Sequence, residues 1–127
     1  MLLLLDTHAF LWWTADNPAL GANAREAIAD SDNIVFVSAA TAWEIAVKRE
    51  SGKLEAPGDI GGWIRQGGFT EIAIEIDHAV LSAELPKHHR DPFDRLLIAQ
   101  AAIEELTLVT ADAEIVKYNV ETLDAAA

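Results

Sequence analysis

The chain contains no cysteine, which excludes a disulfide scaffold, a thiolate zinc site and a cysteine nucleophile together. Any bound metal must then be held by oxygen or imidazole. Basic residues are scarce as well: 9 Lys and Arg stand against 21 Asp and Glu, giving a formal charge of −12 and a pI near 4.5. Such a chain repels nucleic acid and anionic membranes at long range. That sign is reversed locally only if several carboxylates converge on divalent cations, whose charge then dominates the field. No apolar run approaches the roughly 20 residues of a bilayer span. Met1 to Leu5 has no basic leader and gives way to Asp6 and His8, so a cytoplasmic protein with no membrane partner is expected. Gly61-Gly62 and Gly67-Gly68 fit neither a P-loop nor a dinucleotide fingerprint, and there is no G-x-S-x-G. NTPase, nicotinamide oxidoreductase and serine hydrolase chemistry drop out with them.

What is present describes a packed protein. The 127 residues are 51% hydrophobic and 24% charged, enough for one domain over residues 1–127 with a real core. Leu2 to Leu5 is a short apolar run of the kind buried in a parallel sheet. Thr7 to Thr14 reads as a helix, and Asn17-Pro18 as the start of another running to about Asp30. Ile34 to Val37 predicts a second strand, with Ser38 capping a helix to Glu50. Ser51 to Gly58 reads as loop, Ile60 to Gln66 as a short helix and Gly67-Gly68 as a break. The alternation over Glu71 to Ile76 predicts a strand, and Asp77 a cap for a helix through Leu85, stopped by Pro86. Lys87 to Arg90 is expected as an exposed basic turn. Asp91-Pro92 opens the longest helix, with Leu96, Leu97, Ala99, Ile103 and Leu106 as its buried face. Leu106 to Val109 is read as a strand and Ala113 to Tyr118 as a last short helix. Strands alternating with helices predict a three-layer α/β domain with a central parallel sheet.

In open parallel sheets the functional crevice lies beyond the carboxyl ends of the strands. Acids occupy those places. Asp6 follows the first strand, Glu44 lies early in the helix after the second, Asp94 opens the long helix and Asp112 follows Val109 closely. Carboxylates gathered at one edge repel and raise one another's pKa unless hard cations such as Mg²⁺ or Mn²⁺ neutralise them. Two such ions can activate water and stabilise the leaving oxygen of an in-line displacement at phosphorus. Each acid also has a structural explanation. Asp6 can cap the helix at Thr7, Glu44 can pair with Lys48 at i,i+4, Asp91 and Asp94 nearly form a capping box, and Asp112 can cap the last helix. Lys87, His88, His89, Arg90 and Arg95 form a basic cluster suited to substrate phosphate, with Arg90, Arg95 and His89 the candidate contacts. The competing reading is a solvated turn with Arg95 paired to a carboxylate. His8 and His78 carry no ligand pattern. Trp12, Trp13, Trp43 and Trp63 are expected in the core or a subunit interface rather than as substrate contacts.

Four segments taken in order are distinctive: Leu4-Leu5-Asp6-Thr7-His8, Ala42-Trp43-Glu44-Ile45, Asp91-Pro92-Phe93-Asp94-Arg95-Leu96-Leu97-Ile98-Ala99-Gln100-Ala101, and Leu108-Val109-Thr110-Ala111-Asp112. Together they resemble the PIN-domain ribonucleases of the VapC toxin type over nearly the whole chain. The resemblance implies a compact parallel-sheet PIN-like fold, Mg²⁺- or Mn²⁺-dependent cleavage of RNA, and silencing by a cognate VapB-like antitoxin that inserts an arginine among the acids. A homodimer is implied too. Asp6, Glu44 and Asp94 match the first three acids of the family, Asp112 the variable fourth within Thr110-x-Asp112, and Thr7 a polar residue beside the first. Many relatives carry asparagine before the third acid; here Phe93 stands there, and Asp91 becomes an additional candidate ligand alongside Thr7 and Thr110. The alternatives are a PIN-type nuclease of RNA processing without a toxin role, a non-catalytic binding domain, and a receiver-like module. The last needs a lysine at a strand end, where only Lys117 is on offer.

Overall fold

A computed structural model describes residues 1–56 and 58–127. In chain order the elements are β1 (Leu2–Leu5), α1 (Thr7–Thr14), α2 (Ala22–Ala29), β2 (Ile34–Ser38), α3 (Ala39–Glu50), α4 (Ile60–Gln66), β3 (Thr70–Ile72), α5 (Ile76–Glu84), α6 (Pro92–Glu104), β4 (Thr107–Thr110), a 3₁₀ turn at Ile115–Lys117 and β5 (Thr122–Asp124). The five strands form one sheet in the order β3-β2-β1-β4-β5. Every pairing is parallel, with Leu4 opposite Phe36 on one side and Leu108 on the other.

Side chains of a strand alternate between faces, and β1 shows what that does. Leu3 and Leu5 face a core built with Ala9 and Phe10 of α1, Ala24 and Ile28 of α2, and Ile64 of α4. Leu4 points the other way, into a second core with Leu96, Leu97, Ile98 and Ala101 of α6. All three leucines are fully buried. Helices thus cover both faces, the expected three-layer α/β architecture with a central parallel sheet.

Several boundaries differ from expectation, each for a local reason. The helix expected from Pro18 starts at Ala22. Asn17 does arrest the chain, but as a turn, accepting from Ala19 N–H at 2.9 Å through its side chain and from Leu20 N–H at 3.1 Å through its carbonyl. The first-turn N–H groups of α2 are met instead by the Ala127 carbonyl, which accepts from Asn23 at 2.9 Å and Ala24 at 3.1 Å. This close approach requires Gly21, since a Cβ there would lie 2.2 Å from the Ala127 carbonyl.

Strand β3 ends at Ile72 rather than Ile76, and α5 is entered at Ile76 with His78 as its anchor. The buried His78 ring accepts from Glu75 N–H through Nδ1 at 2.9 Å. Asp77 is therefore not the cap but an acid of the first turn, favoured there by the helix dipole. The expected last helix is only a single 3₁₀ turn, and β5 follows it. In α6, Ile103 is 40% exposed, whereas Ile98, Gln100 and Ala101 are buried. The helix is flanked by the sheet, α3 and α5, so it buries more than one stripe. Gln100 is satisfied in the interior: its carbonyl accepts from Ser38 Oγ at 2.6 Å and its amide donates to the Ala73 carbonyl at 3.2 Å. The expected loop from Ser51 to Gly58 includes Pro57, which lies outside the described residues. Among the described residues, no helix is long and apolar enough to cross a membrane.

Candidate active site

The chain passes from β1 outward to β2 and β3, then returns to lay β4 on the other side of β1. The strand order therefore switches between β1 and β4, and the carboxyl ends of strands at such a switch point are where parallel sheets place their functional groups. Asp6 directly follows β1, while Thr110 ends β4 and Asp112 lies just beyond it. Glu44, in the second turn of α3, and Asp94, in the first turn of α6, lie close enough to each other and to Asp6 for their charges to interact.

Asp6 is 4% exposed, and its Oδ1 caps α1 by accepting from Ala9 N–H at 2.8 Å. Burial pushes its carboxyl above the ordinary value, opposed by a hydrogen bond from the Thr110 side chain and by the Ala9 N–H. Glu44 is 3% exposed. Thr7 Oγ1 donates to its Oε1 at 2.6 Å, and Lys48 Nζ donates to its Oε2. The expected i,i+4 pair thus exists, but its acid is in the interior rather than on the surface. The Glu44 hydrogen bond raises the Lys48 pKa, and the charges of Glu44, Asp91 and Asp94 add to that. Thr7 also lies 3.2 Å from Thr41 Oγ1.

Asp91 caps α6, its Oδ1 accepting from Phe93 N–H at 2.8 Å and Asp94 N–H at 3.3 Å. Asp94 follows in the first helical turn. Its pKa is pushed up to about 7, first by burial and then by the charge of Asp91, with Asp6 and Glu44 adding to the repulsion and His89 opposing it. Asp112 behaves in the opposite sense. Burial raises it, but the Glu114 backbone N–H, His89 and the Ile115 N–H outweigh that and hold it below the ordinary carboxylate value. Its Oδ1 accepts from Glu114 N–H at 2.8 Å, so Asp112 also caps the turn that follows.

His89 was expected to face substrate phosphate, and its placement differs. Its Nε2 lies 2.9 Å from both Asp94 Oδ2 and Asp112 Oδ2, and its Nδ1 accepts from Asp91 N–H at 3.1 Å. The ring therefore presents one N–H between two carboxylates. His89, Asp94 and Asp112 each offer a ligand atom within 4.8 Å of the others. Arg95 is a clearer correction. It is 7% exposed, turned into the protein rather than toward solvent. Its guanidinium donates to the carbonyls of Ser82, Leu85, Pro86 and His89 at 2.9–3.1 Å, cementing the turn before α6. A fork of five donors suits a ring of carbonyls, which sequence spacing does not reveal. Arg90 and Lys87 are exposed. Lys117, the lysine a receiver-like reading requires, pairs with Glu114 at 2.9 Å.

The sheet, its switch point and the acids above it define an α/β protein with a carboxylate centre. The sequence pattern of the PIN domain matches residues 3–121, and the chain belongs to that family. It is 30% identical over 113 residues to Ribonuclease VapC22 of Mycobacterium tuberculosis, covering 87% of this chain and 86% of that one. The fold is similar to a chain in the crystal structure of VapBC2 from Rickettsia felis bound to a DNA fragment from their promoter. The TM-score is 0.71 at 17% identity, over 97% of this chain and 98% of that chain.

Proposed function

We propose that this chain is a divalent-cation-dependent endoribonuclease, acting as the toxin of a VapBC-type pair. The observation that supports this best is the gathering of Asp6, Glu44, Asp94 and Asp112 over the switch point between β1 and β4. The ribonuclease name of the relative from M. tuberculosis and the VapBC assembly with the same fold point the same way.

The donor set fits Mg²⁺ or Mn²⁺. It is made of carboxylate oxygens, and burial raises the Asp6 and Asp94 carboxyls above their ordinary value, a cost that a bound cation would offset. Asp6, Glu44, Asp94 and Asp112 would hold the ion, with Asp91 at its margin. When bound, a divalent cation supplies an activated water and charge compensation at the scissile phosphate. The remaining work falls to the chain. Thr7 fixes the rotamer of Glu44, and the Ala9 N–H and Thr110 hydroxyl aim Asp6. His89 lies between Asp94 and Asp112, on the same oxygens that would hold the cation.

Residues 1–127 act as one domain on this reading, in the cytoplasm and as a homodimer. The charge of −12 favours a cationic antitoxin segment whose arginine reaches the acids. The test is incubation of purified protein with total RNA, with and without Mg²⁺, beside Glu44→Gln and Asp94→Asn. Mg²⁺-dependent cleavage by the parent and its loss in both variants are expected. Cleavage by Asp94→Asn at the parental rate overturns the assignment.

A further inference from the structure

Trp43 lies outside the core of the single chain, a place as natural for a tryptophan at a subunit interface as for one at a ligand site. Trp12, Trp13 and Trp63 are partly buried against the core, whereas Trp43 is 52% exposed on α3. Its ring centroid lies 4.7 Å from that of Phe93 on α6, with the planes at 74°. Each of the two residues directly precedes a candidate ligand, Glu44 or Asp94. The aromatic contact therefore spans the same two helices that deliver those acids. Phe93 is itself fixed, since Asp91 Oδ1 accepts from its N–H at 2.8 Å. Val47, one turn along α3, is 45% exposed and extends the apolar surface. A near-perpendicular partner props the indole and leaves part of it free.

Charge decides what this surface suits. Two cations beside the acids are already engaged, Lys48 on Glu44 and Arg95 on backbone carbonyls, in a chain of charge −12. An ionic grip on a polyanion is correspondingly weak. Arg90 and Lys87 stay exposed, yet at a net charge of −12 uncharged contacts are the source of affinity that the field of the protein does not oppose. A nucleobase offers them, because it stacks on an indole whatever its identity. A base next to a phosphate that a divalent cation would bridge to Glu44 and Asp94 would come within reach of residues 43 and 93.

We propose that Trp43, propped by Phe93, is the stacking platform for a nucleobase of single-stranded RNA next to the scissile phosphate. The proposal rests on the ribonuclease reading above. Its test is Mg²⁺-dependent cleavage of a short single-stranded RNA by the wild type, W43F and W43A. Each is given the intact substrate and a series in which one position near the cut is abasic. The wild type is expected to lose on the order of tenfold in kcat/KM at one abasic position. W43A is expected to be down by about the same factor on intact RNA, chiefly through KM, and to lose nothing further at that position. W43F should retain most of the activity. Circular dichroism matching the parent excludes loss of α3 as the cause. An abasic penalty in W43A equal to that of the wild type, or parental cleavage of intact RNA by W43A, overturns the proposal. So does a change of sedimentation mass in W43A with the abasic profile intact, which would make this face a contact with a second copy. A wild type that cuts none of the substrates sinks the ribonuclease reading itself, and the platform with it.

Discussion

Asp94→Asn is expected to stabilise the metal-free protein at alkaline pH while abolishing its activity. In the folded chain the Asp94 carboxyl is raised from 3.8 to about 7, by burial first and by Asp91 next. The folded state therefore binds this proton more tightly than the unfolded state does. The resulting stabilisation is complete below pH ~4 and is lost as pH rises through about 7. The gap spans roughly three decades of proton affinity at about 1.4 kcal/mol each, or ~4 kcal/mol in all. Of this, roughly 2–3 kcal/mol falls between pH 5 and pH 8. Asparagine has no such titration, so the difference in stability between parent and variant should widen in the variant's favour by that amount. Urea denaturation in EDTA at pH 5, 6, 7 and 8 measures it directly. Adding Mg²⁺ at pH 8 should restore the parent by ~2.7 kcal/mol at a hundred times its Kd and leave the variant nearly unmoved. Parallel pH profiles for the two proteins would falsify the reasoning, because Asp94 would then not belong to a mutually repelling cluster.

Two further outcomes follow from side chains around the acids. Thr7→Val removes the hydroxyl that donates to Glu44 Oε1 at 2.6 Å, and should weaken Mg²⁺ affinity by about 10–100-fold with the fold intact; calorimetric titration of Mg²⁺ reads this. Arg95→Met strips donors from the carbonyls of Ser82, Leu85, Pro86 and His89. It should destabilise the protein by about 1–3 kcal/mol in urea, the cost of leaving buried carbonyls unpaired, while the salt dependence of RNA binding stays parental, as expected of a residue that never meets phosphate.

The centre of the sheet was legible because its strands are short, apolar and mostly buried between two helical layers, as Leu2 to Leu5 and Ile34 to Val37 are. The errors fall where tertiary contacts override local pattern. Asn17-Pro18 carries a good helix-start signal, yet Gly21 and the carbonyl of Ala127 set the start of α2 from the far end of the chain. Glu71 to Ile76 alternates like a strand, but the buried ring of His78 draws the chain into a helix at Ile76. Three-residue β5 has too little pattern of its own to be seen. At the site, the acids were readable from their places after strands, whereas Arg95 was not. A charged residue in a basic run looks solvated until the carbonyls that enclose it are known.

The structural and functional readings of the acids prove compatible rather than competing. Asp6 caps α1, Asp91 caps α6, Asp112 caps the 3₁₀ turn, and Glu44 pairs with Lys48. The three caps each use one oxygen of a carboxylate that has two, whereas Glu44 is met at both, by Thr7 on Oε1 and Lys48 on Oε2. For Asp6 and Asp112 the Oδ1 atom serves the backbone, and Asp112 turns its Oδ2 to His89. A helix or turn N-terminus both orients the group and favours its ionised form, so capping pre-aims a ligand at little cost in side-chain entropy. Asp94 is the exception. It caps nothing in the structure, its Oδ2 faces His89, and burial with the charge of Asp91 drives its pKa up. The acid without a structural duty is the one whose burial has least compensation inside the fold, and it is therefore the most sensitive reporter of a cation at this edge.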